Sequence, residues 1–109
     1  MKVDYLKPEY VEFIPEDKDL KEGEIYVSKK FRTATHLCPC GCGNKVVTPL
    51  KDGFWKFHID PITGDITMYP SIGNFDLKCR SHYFIRDSRI VWCETAKEST
   101  DTRRNENER

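Results

Sequence analysis

No apolar run in the 109-residue chain approaches the roughly 20 residues that a membrane-crossing helix requires, so no membrane span is expected. An excess of charge of either sign is also missing, because 18 Lys and Arg are matched by 18 Asp and Glu. No stretch is basic enough to capture a polyanion electrostatically, and no nucleic-acid partner is indicated. The N-terminus, Met1-Lys2-Val3-Asp4-Tyr5, opens on mixed charge and lacks the apolar run of a secretory signal. A reducing, cytoplasmic location is therefore expected. Absent too is a His-Glu-x-x-His helix, which would present two zinc ligands and a general base together.

Cysteine, by contrast, is concentrated. Three of the five cysteines fall in His36-Leu37-Cys38-Pro39-Cys40-Gly41-Cys42-Gly43, and this run is answered downstream by Cys79-Arg80-Ser81-His82. A structural zinc ion takes four soft or borderline ligands in a tetrahedron, usually as two local chelating pairs joined by the fold. Cys79 and His82, at C-x-x-H spacing, make the downstream pair. Cys38, Cys40 and Cys42 offer the upstream pair, and spacing alone does not say which two bind. Gly41 and Gly43 are free to take positive backbone dihedrals that turn amides toward thiolate sulfurs. The expected cofactor is Zn2+, chiefly structural, held by Cys79, His82 and two of Cys38, Cys40 and Cys42. His36 is a weaker candidate, and Lys45, Lys78 and Arg80 stand near enough in sequence to moderate the charge of a thiolate-rich site. Disulfides are disfavoured by the odd number of cysteines and by the poor placement of neighbours such as Cys38 and Cys40. Cys93, beside Trp92, reads as a core residue or a bystander.

Hydrophobic periodicity predicts a mainly β protein with little helix, a small single domain of hairpins around a zinc-knuckle-like site. Extended segments are expected over Tyr10–Pro15, Glu22–Val27, Thr33–Leu37, Lys45–Leu50, Phe54–Ile59, Ile66–Tyr69, Tyr83–Arg86 and Arg89–Trp92. Ser28 is placed to cap a single helical turn through Phe31, and Pro70–Asn74 reads as a shaped loop. The cysteine run then sits at the tip of a hairpin between the third and fourth segments. Residues 1–93 form the expected domain. Residues 94–109 contain one apolar side chain, Ala96, and read as a disordered charged tail.

The strings Ile25-Tyr26-Val27-Ser28, His36 to Leu50, Tyr69-Pro70-Ser71-Ile72-Gly73-Asn74 and Cys79-Arg80-Ser81-His82-Tyr83-Phe84-Ile85 resemble an uncharacterised family of small bacterial and phage metal-binding proteins. The resemblance spans roughly residues 22 to 93. Some members are encoded beside ubiquitin-like conjugation and deconjugation genes, which implies a setting rather than an activity. The first functional reading is a zinc-stabilised adaptor with a protein partner, contacted through Trp55, Tyr69, Ile72, Asn74 and Tyr83. The alternative is a zinc-dependent hydrolase of peptide or isopeptide bonds, with His36, His58, Asp76 or Asp87 as candidate bases. A third reading is an iron–sulfur or Rieske-like protein, since two histidines and several thiols are at hand.

Overall fold

A computed structural model describes residues 2–93. The chain forms eight strands: β1 (Lys7–Tyr10), β2 (Glu24–Ser28), β3 (Thr33–Leu37), β4 (Lys45–Pro49), β5 (Lys56–Ile59), β6 (Ile66–Gly73), β7 (His82–Arg86) and β8 (Arg89–Trp92). The helical content among the described residues is one 3-10 turn, Asp17–Asp19. The expected mainly β class is what the structure shows. The expected disordered tail, residues 94–109, lies outside the described residues.

The strands form two sheets of four, in the orders β1-β2-β3-β4 and β5-β6-β7-β8. Neighbours in sequence are neighbours in the sheet, as short connections favour. All pairings are antiparallel except β1 with β2, which run parallel from Lys7↔Glu24 to Tyr10↔Val27. One apolar cluster draws on both sheets: Ile25, Val27, Ala34 and Val46 from the first, and Ile66, Met68, Ile72, Tyr83, Ile85 and Ile90 from the second. The alternation of β7, half-buried His82 and Phe84 against buried Tyr83 and Ile85, is the period-two pattern of a strand with one face inward. The N-terminal segment straps the sheets together, since Leu6 N–H donates to Ser88 O (2.8 Å) and Val3 N–H to Pro39 O (2.8 Å).

Three local expectations are corrected. The first strand ends at Tyr10 instead of beginning there, because its partner is the parallel β2 and only Val11 N–H continues the ladder, to Val27 O (2.9 Å). Ser28 closes a turn and not a helix: its Oγ accepts from Phe31 N–H (3.2 Å) while donating to Glu12 O (2.7 Å). Pro70–Gly73 belongs to β6, and it is irregular. Between the pairs Met68↔Ile85 and Ile72↔Tyr83, four steps along β6 are matched by two along β7. A bulge of this kind re-aims the side chains within it. Ser71 lies inside the bulge.

Candidate metal centre and the adjacent serine–histidine pair

The β3–β4 hairpin carries the cysteine run at its tip, as its sequence predicts. Gly41 (φ 93°) and Gly43 (φ 85°) take the left-handed conformations that the turn demands. Cys38 N–H donates to Asn44 O (2.8 Å), and Gly41 N–H to Cys38 O (3.1 Å), closing a compact knuckle. Cys79 arrives from the β6–β7 connection. Among the described residues, the Sγ atoms of Cys38, Cys40, Cys42 and Cys79 lie within 4.8 Å of one another and could hold a metal ion. A tetrahedral ion with metal–sulfur bonds of about 2.3 Å sets its sulfurs about 3.8 Å apart. The observed separations are 3.5 Å for Cys38–Cys40, 3.8 Å for Cys38–Cys79 and 3.8 Å for Cys42–Cys79, which fits such an ion. All five cysteines are free thiols.

The cluster joins the sheets, because three of its sulfurs belong to the β3–β4 turn and one to the β6–β7 connection. Its protonation is uneven. Burial, with the neighbouring thiols, pushes Cys40 up to about 12, and burial raises Cys38. Burial acts in the same direction on Cys42 but is outweighed by the backbone and side-chain amides of Asn44, which bring that thiol down to about 7. Asn44 Nδ2 donates to Cys42 Sγ at 3.2 Å. Cys42 is thus more readily ionised than Cys38 or Cys40, from which an entering cation would displace protons.

Ser81 is the nearest hydroxyl to the sulfurs. Buried, it lies 3.1 Å from Cys38 Sγ and 3.6 Å from Cys79 Sγ, and its Oγ accepts from Asn74 Nδ2 at 2.9 Å. With Cys38 ionised, the Ser81 hydroxyl donates to the thiolate. Groups that hydrogen-bond metal ligands typically contribute about 10- to 100-fold in affinity. Ser81→Ala is therefore expected to weaken metal binding by about that factor while the protein still folds at saturating metal, as measured by competition with a chromophoric chelator. Two of the three residues named as charge moderators are engaged elsewhere: Lys45 Nζ pairs with Asp17 (2.8 Å), and Arg80 lies over the Phe75 ring (5.5 Å).

His36 is fully buried, with Nε2 2.7 Å from Tyr83 Oη. Burial lowers its pKa to about 4. The neutral ring is the one the fold accommodates, so His36 is expected to show no imidazole titration in NMR spectra between pH 5.5 and 8. A titration midpoint near 6.5 would contradict the buried placement. Neither His36 nor Cys93 belongs to the group of four sulfurs. Of the proposed partner contacts, Tyr69 is 52% exposed, whereas Ile72 (2%) and Tyr83 (0%) are core residues and unavailable to a partner.

His82 stands apart from the four sulfurs as well. Its Nε2 lies 2.9 Å from Ser71 Oγ, across the β6–β7 pairing and beside the bulge that redirects Ser71. Both side chains are half-buried. Burial holds the His82 pKa below the ordinary histidine value, so the ring is neutral at pH 7 and able to accept a proton. No nucleophile was legible in the sequence reading. The one signal was that Ser71 and His82 fall within two of the four distinctive strings, Tyr69 to Asn74 and Cys79 to Ile85.

The fold and site define a small two-sheet β protein with a cluster of four thiols that could hold a metal ion, and with a serine–histidine pair across β6 and β7. A family model described as a bacterial ubiquitination-like system serine protease (BubE) matches residues 10–93, and the chain belongs to that family. No curated protein and no solved structure matches it. The link to bacterial ubiquitin-like systems expected from the sequence holds at the level of the family. Among the described residues, no helix is long and apolar enough to cross a membrane.

Proposed function

We propose that this chain is a serine peptidase of a bacterial ubiquitination-like system, with Ser71 as nucleophile and His82 as its general base. The 2.9 Å approach of Ser71 Oγ to His82 Nε2 is the observation that carries the reading. The family description, which names a serine protease, agrees with it. The substrate class is a peptide or isopeptide bond of a protein in that system. Ser71 Oγ attacks the carbonyl carbon as its proton passes to His82 Nε2. The imidazolium then protonates the departing amine, and water, deprotonated by the same ring, releases the acyl group.

In this reading the ligands of a structural zinc are Cys38, Cys40, Cys42 and Cys79, and His82 is left to the chemistry. Four thiolates close the coordination sphere and leave no position for a catalytic water, so hydrolysis belongs to the serine and not to the metal. Four sulfurs also suit an iron site, which colour would reveal. Thiolate ligands call for a reducing compartment, in keeping with a cytoplasmic location. The adaptor role is the second reading, favoured by the exposed Tyr69 ring two residues before Ser71. A fluorophosphonate probe tests the choice: mass spectrometry is expected to find the adduct on Ser71, and an unmodified Ser71 at saturating probe would favour the adaptor.

A further inference from the structure

Gly73 and His82 are directly paired across β6 and β7, so a side chain at 73 would stand beside the histidine. Gly73 has none, and Phe75 fills the space. A Cβ on Gly73 would overlap Phe75 Cε2 and lie 3.1 Å from both Cδ2 and Cζ. The Phe75 ring meets His82 edge to face, with centroids 5.2 Å apart and planes at 65°.

The connection between the two strands is folded to hold that ring in place. Asn74 N–H donates to Ser81 O (2.8 Å), Leu77 N–H to Asn74 O (3.0 Å) and Arg80 N–H to Leu77 O (3.0 Å). Arg80, in the left-handed region at φ 49°, places its guanidinium 5.5 Å from the Phe75 ring and donates from Nη1 to Phe75 O (3.2 Å). Core packing does not explain this investment, because Phe75 is 46% exposed and lies outside the apolar cluster.

We propose that Phe75 is a positioning residue for His82, seated by the missing side chain of Gly73 and by Arg80. The inference rests on the reading of Ser71 and His82 as nucleophile and base. An edge-to-face contact restricts rotation of the imidazole and keeps Nε2 on the Ser71 hydroxyl, which governs the rate of attack and not the binding of the reagent.

The test uses the full zinc-loaded chain and a fluorophosphonate probe, with the inactivation constant kinact separated from the binding constant KI. Phe75→Ala is expected to lower kinact about three- to tenfold, the scale of an edge-to-face contact, with KI unchanged. Phe75→Tyr should restore the rate. Gly73→Ala, which dislodges the ring, should reproduce the loss, and the Gly73→Ala/Phe75→Ala double variant should be no slower than Phe75→Ala alone. A labelled parent with an unchanged kinact in Phe75→Ala overturns this inference alone, as does an additive loss in the double variant. A parent that takes no label overturns the nucleophile reading and this inference with it.

Discussion

Cys79→Ser will leave the chain without bound metal and largely unfolded at zinc concentrations that saturate the parent protein. Cys79 is the one sulfur of the cluster contributed by the β6–β7 connection, so its loss would remove the bond through which the proposed ion ties the second sheet to the first. Structural zinc binding provides on the order of 10–16 kcal/mol in small domains, which is folding free energy when the site exists only in the folded chain. Total stabilities are about 5–15 kcal/mol. Loss of even part of the binding free energy therefore crosses the folding threshold. Circular dichroism melting and elemental analysis on the same sample provide the check, with Cys93→Ser as the control that keeps both metal and fold. A Cys79→Ser protein that melts like the parent with full metal content would remove the staple from the account.

On the proposed peptidase reading, Ser71→Ala will abolish cleavage while leaving metal content and melting behaviour unchanged. Ser71 is half-buried in a bulge, outside the shared core, and its hydroxyl is hydrogen-bonded to His82 rather than to any sulfur. Removing the nucleophile of a serine peptidase costs on the order of 10^4 to 10^6 in kcat, because no other group forms the acyl intermediate. The measurement is turnover of a ubiquitin-like fusion under single-turnover conditions. A variant that retains more than a few per cent of the parent rate would transfer the chemistry elsewhere or leave the adaptor reading in its place. The separation from the first variant is the informative part: one change removes fold and metal together, the other removes only chemistry.

Much of the fold was legible because its signals are local. Thr33–Leu37, the cysteine turn and Lys45–Pro49 declare a hairpin by alternation and by two glycines in the turn, and the structure forms it with those glycines at positive φ. Asp87-Ser88 was readable as the tight turn between β7 and β8, where both residues take positive φ. The parallel β1–β2 pair was not readable, since nothing in Lys7–Tyr10 reports the direction of a distant partner. The same limit applied to the site. Spacing singled out the cysteine run and Cys79, whose sulfurs the structure brings within 4.8 Å of one another, and it paired Cys79 with His82 on the C-x-x-H pattern alone. In the structure β7 begins at His82, and its half-buried face presents the ring to Ser71, eleven residues earlier on β6. The register bulge that brings Ser71 there has no signature in hydrophobic periodicity.

Zinc-edge X-ray absorption on the purified parent protein tests the central claim most directly, because it reads the ligand atoms themselves. The account predicts four sulfur scatterers at about 2.3 Å and no imidazole, leaving His82 to Ser71. Three sulfurs with one imidazole nitrogen at about 2.0–2.1 Å would contradict it, returning His82 to the metal and depriving Ser71 of its base.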